Sequence, residues 1–118
     1  MELSLNPQYA HALNVRGNAH HSKQDYDRAI EDYNEALKID STYARVYANR
    51  SDTVQEKNDY DRAVADANEA IRLDPKLALA YLNRARALHA KSNYDRVIAD
   101  LTTGLPRSPA RPCVQRAR

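Results

Sequence analysis

The sequence predicts an all-α fold, an α-solenoid of three antiparallel helix pairs. Two observations carry the prediction. The stretch DYDRAVADANEAIRLDP (59–75) has a close copy upstream, DYDRAIEDYNEALKIDS (25–41), and another downstream, NYDRVIADLTTGLPRSP (93–109). The triplet Tyr-Asp-Arg recurs at Tyr26, Tyr60 and Tyr94, a period of 34 residues, and a fixed period of that length marks a helical repeat array. Within each copy the apolar residues keep helical spacing, and no β-type alternation is found: Tyr26, Ala29, Ile30, Tyr33, Ala36 and Leu37 form one stripe, as do Tyr60, Ala63, Val64, Ala67, Ala70 and Ile71.

Taken in order, Leu3–Tyr9 aligns with Leu37–Tyr43 and Ile71–Leu77, so residues 1–9 read as the end of a preceding repeat or an N-terminal cap. Each unit then has a helix A and a helix B. The spacing predicts pairs over about 10–22 and 26–39, about 44–56 and 60–73, and about 78–90 and 94–104, with boundaries good to about two to four residues. Pro7 suits the entry to the first helix, where its fixed φ and missing N–H do no harm. Asp25, Asp59 and Asn93 are the expected N-caps of the B helices. Asp27, Asp61 and Asp95 stand in their first turns, and Lys38 and Arg72 at the opposite ends complement the helix dipole. The units are 10–43, 44–77 and a truncated 78–105. In the third, Gly104 replaces Ala36 and Ala70, and Pro106 stops the helix by Leu105. Residues 106–118 read as a disordered basic tail. Mostly buried side chains are expected at Tyr26, Ala29, Ile30, Tyr47, Ala63, Val64, Ile71, Tyr81 and Leu88.

Charge and composition narrow the class. Of 18 Lys+Arg, four arginines lie in the tail, leaving 14 against 16 Asp+Glu in the body. No apolar run of about 18 residues is present, so no transmembrane helix is expected. The opening ten residues lack a basic start and an apolar core, so no secretory signal is expected. A single cysteine, Cys113, fits a reducing compartment and a cytoplasmic location.

These matched positions resemble the tetratricopeptide repeat, with its small residue in helix A, its Ala-x3-aromatic in helix B and its closing proline. Gly17, Ser51 and Ala85 fill the small position of helix A. Ala29 and Ala63 fill that of helix B, where Val97 is oversized. Tyr33 is the aromatic, from which Ala67 and Leu101 depart. Pro75 and Pro109 close their units, where the first has Ser41. The aromatic of helix A, often Trp in the family, is Leu13, Tyr47 or Tyr81 here. The resemblance covers about residues 10–105. Packing explains the pattern: small residues let helices approach, and one unit cannot bury its own apolar face.

The resemblance implies a superhelix whose A helices line a concave, peptide-binding groove. Its positions carry over as His11, Asn14, Val15, Asn18, His21 and Ser22, then Arg45, Ala48, Asn49, Asp52, Gln55 and Glu56, then Leu79, Leu82, Asn83, Arg86, His89 and Ala90. Amide side chains can donate to and accept from an extended peptide backbone, which favours peptide binding over a merely solvated face. One subtype of the family clamps the C-terminal carboxylate of chaperone tails. Asn18 and Asn49 match its asparagines, but Asn14, Leu79 and Asn83 stand at its cationic positions, so the charge-assisted donors a carboxylate needs are missing.

Other residues point elsewhere or nowhere. Arg16, Arg50 and Arg84 recur in helix A, with Asp32, Asp66 and Asp100 sixteen residues on. Structural Arg–Asp pairs are the expectation, and a row of arginines for an acidic ligand the alternative. His11, His20, His21 and His89 show no spacing that converges on a metal, and Gly17 and Gly104 make no phosphate loop. No catalytic set of residues and no cofactor is expected, and an enzyme is not. The reading is a non-catalytic module that binds a peptide or protein segment. The alternative is a nucleic-acid-binding helical repeat using the basic tail, which has no aromatic for base stacking. Self-association through a poorly capped C-terminal face, or marginal stability of the third unit, is expected.

Overall fold

The computed structural model describes residues 6–102, apart from the Asp100 side chain. The described residues form five helices and no strand: α1 (Pro7–Ser22), α2 (Tyr26–Ile39), α3 (Ala44–Glu56), α4 (Tyr60–Leu73) and α5 (Ala78–Thr102). The all-α repeat architecture is therefore as the period predicts. The expectations for Leu3, Leu5, Gly104, Leu105, Pro106 and the tail lie outside the described residues. The chain divides into two compact units, Met1–Leu88 and His89–Arg118. Among the described residues no helix is long and apolar enough to cross a membrane.

In the first unit the starts of α1, α2 and α4 have side-chain caps. Asn6 accepts from the Gln8 amide at 2.9 Å, with Pro7 as the first helical residue, so α1 begins a turn earlier than the spacing suggests. Asp25 and Asp59 accept from the Arg28 and Arg62 amides at 3.4 and 3.3 Å. The turns into α2 and α4 pass through Gln24 and Asn58, both left-handed, with φ of 65° and 66°. Asp40 and Asp74 then accept from the Thr42 and Lys76 amides at 3.0 and 3.1 Å, closing α2 and α4 with side-chain turns.

The helix pairs are antiparallel: contacts pair later residues of α1 with earlier ones of α2, from His21–Tyr26 through Asn18–Tyr33 to Arg16–Asp32. The core is built mostly from small side chains. Ala29, Ala36, Val46 and Tyr33 pack with Leu13 between α1, α2 and α3. Ala48, Ala70 and Ala80 form a second cluster, and Val54, Ala63 and Ala87 a third. Methyl-sized contacts allow the close helix approach that the repeat requires.

The third helix pair is not formed as expected. One helix of 25 residues, α5, runs through Ser92 and Asn93, where the other two units turn. The left-handed position of Gln24 and Asn58 falls on Ser92, and Val97 replaces the small Ala29 and Ala63. Two buried-core expectations also fail: Tyr81 and Leu88 are 41% and 48% exposed. In the second unit Val97, Ile98 and Leu101 are exposed as well. Tyr26, Ile30, Tyr47, Val64 and Ile71 are half-buried, and Ala29 and Ala63 fully buried.

Candidate functional site

The A helices α1 and α3 and the first half of α5 lie side by side, tied by hydrogen bonds. The Asn49 side chain donates to Asn14 Oδ1 at 2.9 Å, between α1 and α3. The Asn83 side chain donates to the Ala48 carbonyl at 2.9 Å, and Gln55 donates to the Asn83 carbonyl at 2.9 Å, between α3 and α5. These residues were expected to present amides to a ligand. Asn14, Gln55 and Asn83 are instead buried, as is Ala48, and the amides serve the helix contacts.

The remaining groove positions are where the surface lies. His11, Val15, Asn18 and Ser22 of α1 are exposed, and His21 is half-buried. On α3, Arg45 and Glu56 are exposed, with Asn49 and Asp52 half-buried. On α5, Leu82 and Arg86 are exposed and Leu79 is half-buried. His89 and Ala90 belong to the second unit, where the His89 ring Nε2 lies 3.3 Å from Asn93 Nδ2. Within the first unit the polar groups are already cross-linked. His11 Nδ1 lies 3.2 Å from the Tyr43 hydroxyl, Tyr33 donates to Asn18 at 2.5 Å, and Arg86 donates to Asp52 at 3.3 Å and to Asn83 Oδ1 at 3.0 Å.

The repeated arginines do not serve a ligand in the first two units. Arg16 donates to both carboxylate oxygens of Asp32 at 2.8 Å, and Arg50 to both of Asp66 at 2.9 and 2.8 Å. Hydrogen bonding to Asp32 raises the Arg16 pKa further above its ordinary value. For Arg50, burial opposes the charge, but hydrogen bonding and attraction to Asp66 prevail and its pKa is raised. Arg50 also donates to Asn34 at 2.8 Å, and Arg84 repeats this bond to Asn68 at 3.0 Å. Each of these two arginines therefore binds an asparagine of the preceding unit, a link the sequence reading missed. The 34-residue recurrence of Asn34 and Asn68 was the available signal. Arg50 and Arg84 also lie over the rings of Tyr47 and Tyr81, each 5.5 Å from the centroid. The Asp100 side chain, the expected partner of Arg84, lies outside the described residues.

What is left exposed or half-buried is a set of mixed charge, Arg45, Asp52, Glu56 and Arg86, with apolar Val15 and Leu82. Such a surface can pair both signs of side chain and pack aliphatic stems. No nucleophile with a positioned base is formed by these residues.

Comparison with known proteins follows the same lines. Residues 17–57 match the family model described as TPR repeat, and residues 49–112 that described as tetratricopeptide repeat. No curated protein sequence is a significant match. Among solved structures, the TPR2B domain of yeast Sti1 in complex with pHsp70 is 30% identical at a TM-score of 0.69, over 79% of this chain and 74% of that one. The TPR2AB domain of yeast Sti1 in complex with pHSP90 is 31% identical at a TM-score of 0.73, over 86% of this chain but 39% of that one, so the chain spans well under half of it. The second TPR of Spaghetti (RPAP3), bound to the HSP90 peptide SRMEEVD, is 29% identical at a TM-score of 0.72, over 87% of this chain and 95% of that one.

Proposed function

Because the chain belongs to the tetratricopeptide repeat family, we propose that it is a non-catalytic module, in a reducing cytoplasmic setting, that binds an extended peptide or protein segment across α1, α3 and α5. The observation that carries this is the division of labour among the A-helix residues. Asn14, Gln55 and Asn83 hold the helices together, which leaves Arg45, Asp52, Glu56 and Arg86 as a charged surface with Leu82. The structures it resembles are complexes with chaperone segments. The ligand here is one not anchored by its C-terminal carboxylate. Leu79 and Asn83 stand at two cationic positions of the carboxylate clamp, and Asn83 is 1% exposed. A carboxylate without charge-assisted donors loses more in desolvation than it gains.

Selection from a random peptide library, followed by calorimetry of a selected peptide, tests this. Arg45→Ala and Arg86→Ala should each weaken binding about tenfold, the effect of losing one charge-assisted contact. Lys38→Ala and Arg62→Ala, on α2 and α4, should leave it unchanged. Equal effects at both sets sink the groove reading, and tight binding of SRMEEVD sinks the exclusion of the clamp. The nucleic-acid alternative rests on the tail, outside the described residues. A steep fall in affinity for an oligonucleotide with rising salt is the result that would favour it.

A second copy of the chain is the partner we assign to α5. Val97, Ile98 and Leu101 are 53%, 62% and 75% exposed, whereas Ala29 and Tyr33, at the registers of Val97 and Leu101 in the first unit, are buried by α1. The same stripe on another copy is its match in chemistry. Sedimentation should show concentration-dependent association that Ile98→Asp abolishes; a strict monomer at high concentration overturns it.

A further inference from the structure

His21, Asp52 and Glu56 form a cluster that the histidine spacing gave no reason to expect. One ligand atom of each lies within 4.8 Å of the others. His21 is in the last turn of α1, and Asp52 and Glu56 are one helical turn apart on α3.

The imidazole is oriented from behind. His21 Nδ1 lies 2.8 Å from the Thr53 hydroxyl, and Thr53 donates its own proton to the Asn49 carbonyl at 3.1 Å. The other nitrogen, Nε2, faces Asp52 Oδ2, 3.8 Å away. That separation is too long for a hydrogen bond and leaves room for an ion bound to both atoms. Arg86 holds the other oxygen of Asp52 at 3.3 Å and so fixes the carboxylate rather than bridging the gap. The Tyr26 ring packs against the imidazole edge-on at 5.3 Å and limits its rotation. The C-terminal ends of α1 and α3 both lie here, and their partial negative charge adds to the attraction for a cation.

We propose that His21, Asp52 and Glu56 bind a divalent transition ion of the zinc class. One imidazole and two carboxylates suit such an ion, whereas magnesium and calcium prefer an all-oxygen set. Tetrahedral coordination at about 2.0–2.2 Å places ligand atoms about 3.4 Å apart, so the observed cluster needs small side-chain rotations only. Thr53 and Arg86 are the groups that orient the ligands from the next layer out, as metal sites require. The ion would join the first repeat to the second, and water would complete its shell. The site stands whether or not the surface binds peptide.

The test uses the untagged chain carrying Cys113→Ser, which removes the thiol as a competing ligand, stripped with chelator. Calorimetry with zinc chloride and visible absorption with cobalt chloride should both give one equivalent bound. Zinc should raise the thermal midpoint, because it binds only the folded chain. Glu56→Gln, a surface change that leaves the fold intact, should weaken zinc binding at least about tenfold. His21→Phe should abolish it, whereas His11→Ala, His89→Ala and magnesium in place of zinc serve as controls. Unchanged zinc affinity in both Glu56→Gln and His21→Phe means adventitious binding and overturns the proposal. So does failure of the folded chain to bind zinc.

Discussion

A Cβ placed on Gly17 would lie 2.6 Å from Tyr33 Cε1 and 2.9 Å from Cδ1, so the ring occupies the space that any other residue at 17 would need. The same register holds Ser51 and Ala67 in the second unit and Ala85 and Leu101 in the third. Size is traded across the helix pair: no side chain faces the largest ring, and a serine faces a methyl. Ser51 uses its room to donate to the Ala63 carbonyl at 2.8 Å.

Gly17→Ala should therefore destabilise the protein by about 1–2 kcal/mol, since the overpacking of roughly 1–3 kcal/mol exceeds the gain in helix propensity of about 1 kcal/mol. Tyr33 is 1% exposed and bonded to Asn18, so the ring has nowhere to turn. Urea unfolding checks this. A variant more stable than the parent would show that the ring gives way.

The two arginine pairs should differ in worth despite sharing their geometry. The Arg50 side chain is 14% exposed and that of Arg16 65%, over equally buried aspartates. Arg50→Ala should cost about 3 kcal/mol, because it strands Asp66 and also frees Asn34 of the preceding unit. Arg16→Ala lets water reach Asp32 and should cost much less. Arg50→Lys should recover only part, since an ammonium cannot match both oxygens and Asn34 together. Equal losses at 16 and 50 would refute the burial argument.

Alkaline pH should act through Tyr33. Burial pushes its hydroxyl up to about 12 from an ordinary 10.0, against a hydrogen bond with Thr53 that lowers it, with Asp52 and Asp32 adding to the rise. The folded chain thus holds the proton where the unfolded chain releases it. The stabilisation from this is complete below about pH 10 and lost as pH rises toward about 12, by at most about 1.4 kcal/mol per pH unit. Tyr33→Phe should start less stable, having lost the bond to Asn18, and show a shallower decline across that window. Identical slopes for the two proteins would count against it.

The sequence by itself determined the repeat, the four helices α1–α4 to within a turn, the aspartate caps of α2 and α4, and the pairing of Arg16 with Asp32 and Arg50 with Asp66. Those features are periodicities, and the 3.6-residue and 34-residue periods lie along the chain where they can be read. Only the tertiary structure decided which way the amides face. Asn14, Asn49 and Asn83 look alike in sequence, but the groups that turn Asn14 and Asn83 inward, the donating Asn49 amide and the accepting Ala48 carbonyl, belong to a neighbouring helix. It also decided that α5 runs on past Ser92, since Asn93 and Asp95 repeat the start signals of α2 and α4 in sequence and a local signal alone does not enforce a turn. The meeting of His21 with Asp52 and Glu56 is of the same kind. It joins residues 31 and 35 positions apart, and only the side-by-side packing of α1 and α3 brings their helix ends together.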